Sequence, residues 1–340
     1  MSREATCNSK AKAMKAFISV WLLATVLLAT APLTDAQTKK PTPRIGWLWF
    51  GPATAGQLSG LESAFINGLR ELNYLENRNF TFEHRFAAGH PERVSDLAKD
   101  LVRQNVDLII ALGGDLAAVA KKTTKNIPIV FGSSDDPVRS GLVADLARPG
   151  GNITGVTFLS DELAGKRVEL LKEINPKLSR IAVLWNPGHV DNEFKEIQSV
   201  AQGLGIKFSS HKAQRPEDFD EAFAAIGKAN SHALLVVPSR LTAVRREPIA
   251  NFAKKNRLPM ISGWREFAEA GGLASYGPNR DEAARRLAYY VDRILKGTKP
   301  GELPVELPTK FELVINLHTA YDIGLTIPPN VLARADKVIR

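Results

Sequence analysis

Cysteine is nearly missing from this sequence of 340 residues: the one thiol, Cys7, lies ahead of the long apolar run that follows it. Removal of that leader leaves a chain without sulfhydryls, which excludes a disulfide, a thiolate nucleophile and a cysteine-ligated metal. Cys7 also stands on the wrong side of the run to carry a lipid after cleavage. The histidines are few and scattered: His84, His90, His189, His211, His232 and His318 include no pair at i, i+4, the spacing of a helical zinc site. Nucleotide signatures are absent as well. Gly203 and Gly205 are followed by Phe208 where a dinucleotide fingerprint needs its third glycine, and Gly165-Lys166 runs into Arg167 rather than the hydroxyl residue of a phosphate loop. No Gly-x-Ser-x-Gly nucleophile elbow occurs. These absences point away from an enzyme, and no cofactor is expected.

What is present begins with an export signal. Arg3, Lys10, Lys12 and Lys15 form a basic leader, the uncharged run Ala16–Leu33 follows, and Thr34, Asp35 and Ala36 place a small residue at the expected cut. Pro32 and Asp35 end the apolar run before the roughly 20 residues a spanning helix needs. The mature chain is therefore expected to start near Gln37, after a signal peptide covering residues 1–36, in the periplasm. Four basic and two acidic residues leave with the signal, so the net charge falls from +9 to +7. That excess is spread along the chain without a dense Lys/Arg block or interleaved aromatics, so nucleic acid is not an expected partner.

The roughly 300 residues that remain exceed what one hydrophobic core usually organises, and two lobes are expected. Short β-branched or aromatic runs alternate with helical-period segments, the pattern of an α/β fold with parallel sheets covered by helices. Strands are predicted at Arg44–Phe50, Phe80–Phe86, Val106–Leu112 and Ile127–Phe131. A helix carries Leu58, Leu61, Phe65, Leu69 and Leu72 on one face, and another opens at Pro91. After the turn Gly150-Gly151-Asn152 and the strand Ile153–Phe158, a second series begins. Its strands are Arg180–Trp185, Ile206–Ser210, His232–Val237, Pro259–Ile261, Leu273–Tyr276 and Phe311–Ile315. Helices intervene near Asn192–Gly203, Glu217–Gly227, Arg245–Lys255 and Asp281–Leu295, and a last helical stretch closes the chain. Two similar halves with segments left over imply a chain that crosses between lobes more than once, with a cleft between them.

Open α/β sheets bind ligands at the carboxyl ends of their strands, and polar or Gly-rich loops recur there. Gly113, Gly114 and Asp115 follow a buried strand and open a helix, either as an anion-binding turn or as a plain tight turn. Ser133, Ser134 and Asp135 follow Phe131, offering hydroxyls to a carboxylate, while Asp136 is expected to cap a helix ahead of Pro137. Trp47 is expected in the core. Trp49 and Phe50 stand at the end of the first strand, Trp185 and Asn186 at the matching place in the second half, and Trp264 and Arg265 after another strand. Ser239 and Tyr276 occupy further strand ends. Aromatics in such places sandwich a flat or apolar ligand, or else stay in the core.

Four stretches carry a resemblance: GLRELNYLENRNFTFEHRFAAGHPERVSDLAKDLV from Gly68, IPIVFGSSDDPVRSGLVADLARPGGNITGVTFLS from Ile127, REFAEAGGLASYG from Arg265, and LPVELPTKFELVINLHTAYDIGLTIPP from Leu303. In order and at length, they closely resemble ABC-transporter substrate-binding proteins of the TrpX-like type, from about Pro43 to the carboxyl end. The resemblance implies a type I periplasmic binding fold of two Rossmann-like, doubly wound lobes joined by a multi-strand hinge. It implies lobes of 43–157 plus 276–299 and of 158–275 plus 300–340. It further implies a monomer that binds a small molecule and delivers it to an inner-membrane permease with a cytoplasmic ATPase. This chain differs from the family pattern in Trp49 and Phe50, where small or hydroxyl residues are frequent, and in Asp115, where proline is. The expected role is capture of a small organic solute, amino-acid-like or an aromatic carboxylate, for an importer. A ligand-sensing subunit docked on a receptor and an exported hydrolase using Ser133 or Asp135 are the alternatives.

Overall fold

A strand covered by helices on both faces must be apolar along its whole length, and the middle strands of this chain are built that way. The computed structural model describes residues 42–51, 60–158, 161–189 and 192–340. The expected signal, its cut near Gln37 and Leu58 lie outside the described residues. The first sheet comprises β1 (Arg44–Trp49), β2 (Thr81–Phe86), β3 (Leu108–Leu112), β4 (Ile129–Ser133) and β5 (Ile153–Thr157), in the order β2-β1-β3-β4-β5, all parallel. Every residue of β3, Leu-Ile-Ile-Ala-Leu, is buried, as is every residue of β4 and β5. Edge strand β2 alternates instead, and its Phe82 packs edge-on against Trp47, ring centres 5.3 Å apart.

The second sheet comprises β6 (Arg180–Trp185), β7 (Lys207–Lys212), β8 (Ala233–Val236), β9 (Met260–Ser262), β10 (Ala274–Pro278), β11 (Phe311–Asn316) and β12 (Lys337–Ile339). Its order is β12-β11-β10-β9-β8-β6-β7. Only β10 and β11 pair antiparallel. The closing stretch, expected as helical, holds two short helices, Leu317–Asp322 and Pro329–Leu332, and then β12. The strand escapes the periodicity signal because only three residues pair.

The chain passes between the sheets three times: after β5, after β10 and ahead of β11. The pairing shifts the expected boundaries at 276 and 300. Residues 274–278 belong to the second sheet, and the return to the first lobe starts with the helix Arg280–Leu295, capped by the Asn279 side chain, which accepts from Glu282 N at 3.1 Å. That helix buries Ala284, Leu287, Ala288 and Val291 at three- and four-residue steps. It lies so close to the helix Gly60–Glu71 that a Cβ on Gly68 would come within 2.9 Å of the Ala288 Cβ. Residues 303–306 remain beside β5, where Val156 bridges Glu306 and the Thr154 hydroxyl donates to Leu303 O at 2.7 Å; the chain rejoins the second sheet at Phe311.

The cores differ. In the first lobe Trp47, Phe65 and Phe80 are fully buried, alongside Ile45 and Leu69. In the second, an ion pair is sealed among apolar side chains: Arg167, on the helix Asp161–Ile174, bonds Glu193, and both side chains are inaccessible to solvent. Arg167 Nε also donates to Tyr276 O at 2.8 Å, which ties that helix to the strand from which the chain crosses back. Among the described residues no helix is long and apolar enough to cross a membrane.

Candidate functional site

Both sheets direct their strand ends at one cleft, and a cavity of about 350 Å³ lies there. Trp49 at the end of β1, Phe50 and Gly51 after it, Leu61 on the first helix and Leu112 at the end of β3 form one wall. The opposite wall belongs to the second lobe: Arg240, Ala243 and Val244, then Arg246 and Glu247, and finally Trp264, Glu266 and Glu269 after β9. Arg280, the first residue of the returning helix, closes the hinge end. One wall is therefore aromatic and aliphatic, and the other carries charge of both signs. At this size the cavity falls at the small end of ligand pockets, roughly 300–1,000 Å³, and admits one solute of amino-acid dimensions.

Each charged side chain is positioned by another. The Arg280 guanidinium stacks over the Trp264 ring at 3.9 Å and donates to Glu266 Oε1 at 2.6 Å. Burial lowers its pKa below the usual arginine range, opposed by the charges of Glu266 and Asp281. Arg265 turns out of the cavity to Asp281 at 2.7 Å, with Glu269 at 3.3 Å and Glu312 at 3.6 Å. Arg240 crosses the cleft to bond Asp115 and lies over the Phe50 ring at 4.8 Å. Burial by itself would raise the Asp115 carboxyl, but the Arg240 charge and hydrogen bond hold it below its ordinary range.

A polar seam continues beside the cavity. The Ser134 hydroxyl meets His189 Nε2 of the second lobe at 2.9 Å, and Arg139 pairs with Asp161 at 2.8 Å. Desolvation, then the charge of Arg240, pushes the His189 imidazole down to about 4, against Asp115 and Asp161. Asp135 is buried and its carboxyl is raised by that burial, with the Ser140 hydroxyl acting the other way. Gly113, at φ 134°, has a backbone conformation that favours glycine, and a Cβ there would also displace the Arg240 guanidinium, as one on Gly114 would displace the Asp135 carboxylate.

Residues 53–339 match the family model described as ABC transporter substrate binding protein. The chain belongs to that family. As a member it is the substrate-binding component of an ABC transporter, with the two-lobed type I periplasmic binding fold, and the family is not a class of enzymes. A tyrosine-binding protein of Clostridioides difficile is 27% identical over 267 residues, which is 77% of this chain and 76% of that protein. Among solved structures, a conserved domain protein of Vibrio cholerae is 31% identical, with a TM-score of 0.80 over 87% of this chain and 99% of that one. An ABC domain of Streptococcus pneumoniae in complex with L-Trp is 25% identical, with a TM-score of 0.78 over 88% of this chain and 100% of that one.

Within this family member the residues expected at the site divide into three groups. Trp49, Phe50 and Trp264 line the cavity. Gly113, Gly114, Asp115, Ser133, Ser134 and Asp135 stand at the seam and bond across or along it: Ser133 Oγ reaches Asp135 O at 3.4 Å, and Asp136 caps the following turn by accepting from Val138 N at 2.9 Å. The remaining five serve the second lobe. Trp185 stacks on Phe194 at 4.0 Å and donates to Ser210 Oγ at 2.8 Å; Asn186 Oδ1 accepts from Gly188 N in a turn. Ser239 forms a capping box with Thr242, Arg265 holds the acidic cluster, and Tyr276 lies against a different depression with Phe311 and Arg334. The sequence reading overlooked Arg240, Arg246, Glu247 and Arg280. Charged residues at helix starts look like solvated surface, although Ser239 and Asn279, immediately before two of them, mark the helix starts at the strand ends.

Proposed function

We propose that this protein is exported to the periplasm and there binds one small amino-acid-like or aromatic carboxylate solute between its lobes, for delivery to an inner-membrane permease driven by a cytoplasmic ATPase. It makes and breaks no bond, acts as a monomer and binds no nucleic acid. The observation that carries the reading is the interlobe cavity, in which Trp49, Leu61 and Leu112 face Arg240, Glu266 and Trp264. An aromatic or aliphatic body matches the first wall and a charged head group the second. The C. difficile relative, named for tyrosine, and the S. pneumoniae structure holding L-Trp point to the same class of solute.

A thermal-shift panel of the amino acids, followed by calorimetry, tests this. Binding at a hundredfold excess over Kd stabilises the protein by about 2.7 kcal/mol, a rise of a few degrees in a chain of this size. The expected outcome is a rise for one or a few aromatic or apolar amino acids, with the solute recovered unchanged. No rise for any member, or a product that accumulates with time, overturns the reading.

A further inference from the structure

We infer that Trp264 and Arg240 of the second-lobe wall, together with Arg280 at the hinge end of the cavity, form a carboxylate-recognition site that reads the acid group of a monocarboxylate. The inference rests on the solute-binding reading above and assigns the atoms that recognise the head group. Ser133 and Ser134, the hydroxyls expected for that task, are engaged elsewhere: Ser134 with His189 and Ser133 with Asp135 O.

Buried polar hydrogens nearly always find an acceptor. Among the described residues, Trp264 Nε1, Arg280 Nε, Arg240 Nε and Arg240 Nη1 are buried donors without one. All three side chains line the same cavity. Each arginine already holds one carboxylate, Arg280 that of Glu266 and Arg240 that of Asp115. No acceptor of the protein bonds these remaining donors, so a complementary ligand supplies it. The balance of charge decides what kind. Around the whole cavity Arg240, Arg246 and Arg280 balance Glu247, Glu266 and Glu269, so its charged lining is neutral and favours a single carboxylate, as in an amino acid, over a phosphate or a dicarboxylate. Arg280 held flat on Trp264 at 3.9 Å is pre-organised: the stack fixes the guanidinium plane and keeps the indole N–H beside it.

Calorimetry on acid and amide pairs tests the assignment: L-tryptophan with L-tryptophanamide, L-tyrosine with L-tyrosinamide, and L-leucine with L-leucinamide. The acid of the binding pair is expected to bind at least about tenfold more tightly than its amide, the effect of a hydrogen bond to a charged group. Trp264→Phe keeps the ring over Arg280 and removes only the N–H, and Arg280→Lys keeps the charge and removes Nε. Each is expected to weaken the acid roughly tenfold and leave the amide alone, with circular dichroism and the unliganded melting point confirming the fold. Equal binding of acid and amide, or variants that weaken both alike, overturns the carboxylate assignment while the solute-binding function stands. Failure of all six compounds overturns the assignment together with the amino-acid reading.

Discussion

The two lobes have the same parallel β/α plan and bring opposite chemistry to their shared cleft. In the first, aromatic packing runs from Trp47 in the core to Trp49 at the cavity, ring centres 6.1 Å apart, and Leu61 and Leu112 extend the apolar wall. In the second, charge runs from the sealed Arg167–Glu193 pair to Arg240, Glu266 and Glu269 at the surface of the cleft. The difference divides the labour of recognition. An apolar wall discriminates by shape and area, worth about 25 cal/mol per Å² buried, and tolerates related bodies. A wall of paired charges discriminates by head group, because an unmatched buried donor or charge is costly.

The largest effect that would break this contrast lies in the second lobe's core. Arg167→Met removes the guanidinium bonded to Glu193, and breaking one side of a buried pair costs about 3–5 kcal/mol. The double variant Arg167→Met with Glu193→Leu should recover much of that loss in denaturant unfolding. A single variant as stable as the parent would show that the second lobe's charge is not structural.

Next in size is the first wall. Trp49→Ala should weaken the solute roughly thirtyfold, the effect of removing an aromatic anchor worth about 2 kcal/mol, while the unliganded melting point stays close to the parent's, since Trp49 is only partly buried. Unchanged affinity would place the solute's body elsewhere.

A different effect, on stability rather than affinity, is expected at the seam on acidification. The His189 pKa is depressed to about 4 in the folded protein against an ordinary 6.5. The unfolded chain therefore takes up a proton that the folded one refuses. Stability is full above about 6.5 and declines as pH falls toward about 4, and His189→Asn should flatten that part of the melting profile. The least effect belongs to Asp115→Asn. Its carboxylate is partly exposed, side-chain accessibility 40%, so the pair with Arg240 contributes less than about 1 kcal/mol. A few-fold loss of affinity that shrinks in high salt would mark the pair as a clasp across the cleft.

Much of this was legible in the sequence, and the exceptions share a cause. Trp49 and Trp264 were marked by their places at strand ends. Trp185 had the same mark but is held against Phe194, on the adjoining helix Glu193–Gly203, because a stacked partner was available within its own lobe. The Gly113-Gly114 turn was readable from its spacing between strand and helix. The neighbours its glycines make room for, the Arg240 guanidinium and the Asp135 carboxylate, stand far from it in the chain or across the cleft. Arg280 begins its helix with no local sign that a tryptophan would lie beneath it.

By itself the sequence determined what depends on near neighbours: the apolar runs of β3 and β4, the capped helices, the alternation that makes two parallel sheets, and the absence of nucleotide motifs. The tertiary structure alone decided which strand ends share a cavity and which charges neutralise one another. Arg240 and Asp115 are 125 residues apart. They meet because the chain crosses the hinge three times and sets the carboxyl ends of both sheets face to face, a juxtaposition of distant segments that no local spacing encodes.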